Sequence, residues 1–116
     1  MFSIHSNNGY TEITKGIKIK TLCHGEAMCM VEFLLTKSSL LPEHAHSNEQ
    51  TGYLVKGNIR LFINGVAREL LPGDSWSIPG NCRHSAEVME DSTAIEVFNP
   101  VREDYLPYEN REDTIL

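Results

Sequence analysis

The chain has 116 residues, 41% of them hydrophobic and 22% charged, and a formal net charge of −6. That length and composition fit one globular domain over residues 1–116, large enough to bury a core without disulfides. An acidic balance with ten Lys plus Arg argues against nucleic acid as a partner, and no apolar run approaches the roughly 20 residues of a membrane span.

The opening, "MFSIHSNNGY", has neither the basic start nor the apolar stretch of a signal peptide, so a cytoplasmic location is expected. "IKIKTL" (17–22) and "AMCMVEFLL" (27–35) follow as short runs of strand formers. Cys23 and Cys29 lack the Cys-x-x-Cys spacing of a zinc knuckle or redox pair. They read as small buried hydrophobes in a reducing compartment. His5 and His24 read as ordinary polar or capping residues.

"HAHSNEQTGYLVKG" (44–57) is the first stretch with chemistry in it. On an extended strand alternate side chains share a face, so His44 and His46 point the same way. Gln50 joins them if the register holds, whereas Glu49 turns away. Two imidazoles on one face suit a divalent cation; the spacing alone is equally compatible with two surface histidines in a polar loop.

"GYLVKG" (52–57) and "IRLFI" (59–63) read as further strands, and the Asn-Gly pair of "INGVA" marks a tight hairpin. "LPGDS" (71–75) reads as a turn, with Pro72 presetting φ and Gly73 relaxing it. After the strand "SWSIP", the turn-rich "PGNCRH" leads into "SAEVM" and supplies a third histidine, His84, with Cys82 at the same parity. In "TAIEVFN" (93–99), Ile95 and Val97 face one way and Glu96 and Phe98 the other. If the aliphatic pair packs in the sheet core, Glu96 and Phe98 line a pocket; the alternative is a solvent-facing Glu96, as for most glutamates. Arg102 follows in a loop, where its fork can clamp a carboxylate or pair at the surface with Glu103 or Asp104. No window carries a sustained helical period. The reading is all-β, a sandwich or barrel, whose sheet edges point to a homodimer.

Two of these stretches together resemble the motifs of the cupin superfamily. The first motif, a glycine, a His-x-His pair, a glutamate and a closing glycine, is matched by His44, His46, Gln50 and Gly57. The second is matched by Gly73, Pro79 and His84, and the match spans about residues 38–98. Ser38 stands in place of the opening glycine, Asn81 in place of an inner glycine and Val88 in place of a closing asparagine. Asn is the non-glycine residue that best tolerates left-handed backbone. The resemblance implies a single-domain cupin, a jelly-roll barrel holding one divalent metal ion (Ni, Mn, Fe, Co or Zn) on His44, His46, Gln50 and His84. Glutamine in place of the usual glutamate leaves the ion its whole charge, which favours an anionic ligand.

"EQTGYLVKG" and "EVFNPVREDYL" are similar to one cupin group in particular. These are the small cupins of pectin and alginate degradation that convert 4,5-unsaturated monouronates to open-chain keto forms. Carried over residue by residue, that likeness makes Glu96 the proton-moving acid, Phe98 an apolar wall and Arg102 the clamp for the uronate carboxylate. The acid is commonly Asp in that group, and the extra methylene of Glu96 shifts the carboxylate by about 1 Å, enough to matter to catalytic geometry. Two other classes fit the same residues. One is a metal-dependent dioxygenase or other cupin enzyme, revealed by oxygen uptake. The other is a non-enzymatic small-molecule binding module, revealed by one bound equivalent without turnover.

Overall fold

The alternating segments form strands, but fewer and longer ones than the turn residues mark out. The computed structural model describes residues 1–109 and 114–115. Its strands are β1 (Phe2–Ser3), β2 (Thr11–Thr14), β3 (Ile17–His24), β4 (Cys29–Leu35), β5 (Leu40–His44), β6 (Glu49–Ile63), β7 (Val66–Leu70), β8 (Ser75–Ile78), β9 (His84–Asn99) and β10 (Thr114–Ile115). One 3-10 helix, Glu103–Tyr108, follows β9.

The frame is the antiparallel ladder of β6 and β9, paired from Glu49↔Asn99 to Ile63↔His84. The later half of β9 also carries β4, and its earlier half carries β5. The early half of β6 carries β8, and its later half carries β7. With β3 beyond β4 and β2 beyond β3, one face reads β2-β3-β4-β9-β6-β8 and the other β5-β9-β6-β7. Two long strands therefore belong to both faces. "GYLVKG" and "IRLFI" are halves of β6, as "SAEVM" and "TAIEVFN" are halves of β9.

The corner between the faces is made by register shifts between Leu54 and Ile59. At its centre Gly57 has φ 100, and a Cβ there would sit 2.0 Å from Ser92 Oγ and 2.6 Å from the Asp91 carbonyl oxygen. Only glycine fits, and the strands bend without losing their ladder. A straight strand from His84 to Phe98 would span roughly 45 Å. Instead both residues lie against His46, with ring centroids 5.0 and 5.7 Å away.

The interior is packed by Ile17, Ile19, Val31, Phe33, Leu54 and Ile59, all buried. This interior is at once core and pocket. Ala94, Glu96 and Phe98 point into it, as expected of Glu96 and Phe98, whereas Ile95 and Val97 lie half-buried on the outer face and not in the core. Cys29 is buried as expected, but Cys23 is exposed. The Asn64–Gly65 hairpin forms between β6 and β7 with φ 50 and 80. Ser38 and Asn81, the two replaced motif glycines, keep left-handed backbone with φ 73 and 63.

One outward residue of β3 is covered rather than solvated. Lys20 is 1% exposed, and its Nζ donates to the carbonyls of Ser6 (2.7 Å) and Asn8 (2.9 Å). It also lies 4.3 Å from the centre of the Tyr10 ring, whose hydroxyl donates to Glu32. A buried ammonium that satisfies two carbonyls ties the N-terminal segment across the sheet.

Candidate metal centre

Four polar side chains converge where the two ends of the long strands meet. His44 closes β5, His46 lies in the connection that follows, Gln50 is the second residue of β6 and His84 opens β9. The His44 and His46 rings are thus not neighbours on one strand, as their spacing led us to expect; the connecting loop brings them together. Ring centroids stand 4.2 Å apart for His44–His84 and 5.7 Å for His44–His46. One nitrogen from each of the three imidazoles lies within 4.8 Å of the others. The loop is pinned from the other motif: Asn81 N donates to the His46 carbonyl at 2.7 Å. Gly80 packs so tightly there that a Cβ would come within 2.5 Å of the Ser47 carbonyl oxygen.

Each imidazole has one committed nitrogen. Nδ1 of His44, His46 and His84 meets the carbonyls of Pro42 (2.8 Å), Asn48 (3.0 Å) and Cys82 (2.8 Å). A carbonyl only accepts, so Nδ1 is the protonated nitrogen and Nε2 keeps its lone pair in all three rings. Burial lowers the pKa of His46 and of His84, and the nearby Arg102 charge pushes both the same way. These rings therefore stay neutral and able to bind a cation to lower pH than exposed imidazoles.

Gln50, 4% exposed, is oriented by a carboxylate. Its Nε2 donates to Glu96 Oε1 at 2.6 Å, which leaves Oε1 of the amide turned elsewhere. Trp76 Nε1 donates to the same Glu96 oxygen at 2.7 Å. Burial raises the Glu96 pKa, opposed by these two hydrogen bonds and by the Arg102 charge. Among the described residues, three buried side-chain atoms lack a hydrogen-bond partner, and two of them are His46 Nε2 and Gln50 Oε1. Buried acceptors are normally satisfied. Two orphaned acceptors in a cluster of neutral nitrogen and oxygen donors fit a divalent cation. Beneath them lies a cavity of about 30 Å³, lined by Gln50, Trp76, His84, Glu96 and apolar residues such as Phe33 and Leu35.

Phe98 connects this cluster to Arg102. Its ring lies 5.7 Å from His46, and the Arg102 guanidinium carbon lies 5.1 Å from its centre and 3.9 Å from that of Tyr105. Arg102 pairs with Asp104 through Nε (3.2 Å) and Nη2 (2.6 Å), and that partner holds the Asp104 pKa down. Its third nitrogen, Nη1, is outside the pair. Glu49 is exposed, and the Cys82 thiol lies 3.8 Å from the Arg83 carbonyl. His24 pairs with Glu109, away from the cluster. Sequence reasoning passed over Trp76 and Gly52, although a single tryptophan in an otherwise small-residue strand was visible.

A jelly-roll barrel with a His-x-His pair at the end of one strand and its following loop, and a third histidine opening a long strand, defines a cupin. The cupin-domain family model matches residues 32–98, and the chain belongs to that family. It is homologous to the pectin degradation protein KdgF of Dickeya dadantii (strain 3937), 28% identical over 107 residues, 90% of this chain and 97% of that protein. The solved structure of KdgF from Halomonas sp. superposes with a TM-score of 0.87 at 30% identity, covering 91% of this chain and 98% of that one. An RmlC-like cupin from Shewanella frigidimarina NCIMB 400 gives a TM-score of 0.86 at 28% identity, over 90% and 95% of the two chains. Among the described residues no helix is long and apolar enough to cross a membrane.

Proposed function

We propose that this cupin is a metal-dependent enzyme that converts 4,5-unsaturated monouronates to open-chain keto forms. The observation that carries the reading is the amide of Gln50, buried, held by Glu96 and left with Oε1 unpaired, beside three imidazoles that the fold holds by Nδ1 and of which His46 also has Nε2 unpaired. His44, His46, Gln50 and His84 would hold the ion. A bound divalent cation supplies Lewis acidity to the sugar oxygens.

The remaining work falls to side chains around the cluster. Phe98 offers an apolar wall against the ring. Arg102 takes the substrate carboxylate, with Nη1 outside its pair with Asp104 and its aromatic stack fixing the plane of the fork. Glu96 moves a proton during ring opening through the carboxyl oxygen that Trp76 and Gln50 do not hold. The neutral ligand set draws an anion toward the site, with the Glu96 carboxylate set behind the Gln50 amide and that of Asp104 paired with Arg102. The same reading has the chain act as a cytoplasmic homodimer; light scattering at the mass of one chain would reject the dimer.

The test is incubation with 4,5-unsaturated galacturonate after loading with Ni, Mn, Fe, Co or Zn, following loss of the ring double bond's absorbance. Acceleration over the spontaneous rate that vanishes in His46→Ala supports the reading. No acceleration with any of the five ions removes it.

A further inference from the structure

The ligand amide is held through a relay of three residues in one cross-strand row. Gly52 on β6 is the register partner of Trp76 on β8 and of Glu96 on β9. Trp76 and Glu96 therefore stand two strand spacings apart, about 9.6 Å, too far for ordinary neighbours on one face to touch. They meet because the residue between them has no side chain. A Cβ on Gly52 would fall 2.1 Å from Trp76 Cε2 and 2.2 Å from its Nε1. The indole thus lies across the glycine and delivers its N–H to Glu96 Oε1.

That delivery has a consequence for Gln50. An amide has two unlike ends of nearly equal size, and only the oxygen end binds a cation. The Glu96 oxygen that accepts from the indole also accepts from Gln50 Nε2. A carboxylate pinned there selects one amide rotamer, with nitrogen toward Glu96 and oxygen away. Without the indole, Glu96 loses one of the two bonds that fix that oxygen, and the rotamer loses its template.

We propose that Trp76, seated over Gly52, is a positioning residue that acts through Glu96 to present Oε1 of Gln50 as the fourth ligand. The inference rests on the metal-centre part of the function proposed above and not on its substrate. Partners behind metal ligands typically change affinity by ten- to a hundredfold, so Trp76→Phe should weaken Zn²⁺ binding within that range. An aromatic six-membered ring stays on the strand, and the N–H is removed together with the pyrrole part of the indole. Gly52→Ala, which displaces the indole, should do the same.

A double-mutant cycle read by Zn²⁺ competition with a chelator tests this without any substrate. In the Gln50→Ala background the carbonyl ligand is gone, and Trp76→Phe should then cost nothing further. Thermal melts of each metal-free variant check that the fold survives; if Trp76→Phe fails to fold, the cycle is run with Gly52→Ala. An equal loss of affinity in both backgrounds would overturn the inference, because the indole would then act on the imidazoles or the fold. Undiminished affinity in Trp76→Phe would overturn it too. Absence of uronate turnover leaves the cycle untouched, whereas failure of the parent chain to bind Zn²⁺ would remove the metal centre and this inference together.

Discussion

Two buried polar clusters in this chain have opposite characters. Around Lys20 every feature closes on itself: the ammonium is spent on two carbonyls and an aromatic face. Around His46 the hydrogen bonds hold each group by one end and leave the other end bare. A closed cluster contributes to stability and calls for nothing from outside. An open one gives up hydrogen bonds that the fold could have made, and that cost is explained by a ligand.

Breaking the open cluster should give the largest effect. His46→Ala removes a proposed ligand and the neighbour of both His84 and Phe98, so metal content by elemental analysis should fall from one equivalent to near zero. At saturating metal, Glu96→Gln should lower kcat by about a hundredfold with little change in KM, because proton transfer matters in the transition state. Arg102→Ala should instead raise KM for a uronate by about tenfold or more, and far less for a neutral sugar, as a charge-assisted pair is lost. Steady-state kinetics of the two variants separate these roles.

The closed cluster should respond in the other currency. Lys20→Met keeps the apolar stem and removes two charged hydrogen bonds, for a loss of about 2 kcal/mol in denaturant unfolding. Zn²⁺ affinity should not change. An affinity loss would mean that the N-terminal segment supports the centre and that the two clusters are not independent.

Acid should likewise act on the open cluster. His46 and His84 have lowered pKa values in the fold, while in the unfolded chain they take a proton below about pH 6.5. The unfolded state then binds more protons, so the metal-free protein should lose stability as pH falls through that value. NMR titration of the metal-free protein should show both rings titrating below 6.5. The smallest expected effect is at the left-handed Ser38: Ser38→Gly should add up to about 1 kcal/mol of stability, with metal affinity unchanged.

How much of this was legible depends on whether a feature is local. The Asn64–Gly65 hairpin and the strand formers of β3, β4 and the later half of β9 are local, and they were read directly. The continuity of β6 and β9 was not, because Gly57 and Asn58 look like strand breakers until the corner shows why glycine is needed. Short strands such as β2 and β5 carry too little pattern to stand out. At the site, His44, His46, Gln50 and His84 came from motif spacing, although His46 proved to lie on a loop. Glu96 and Phe98 were placed in the pocket, but beside the wrong core: the aliphatic residues opposite them face outward. Trp76 stayed hidden because its role depends on register across three strands, which no single stretch of sequence encodes.

The indole that lies across Gly52 is also the only tryptophan in the chain. The protein's long-wavelength emission therefore originates 2.7 Å from the carboxylate that holds a candidate ligand. Nickel or cobalt arriving at the imidazoles should quench that emission, whereas zinc, with its filled d shell, should shift it only slightly. The native molecule thus carries its own optical gauge of occupancy, readable without a label, a substrate or a substitution.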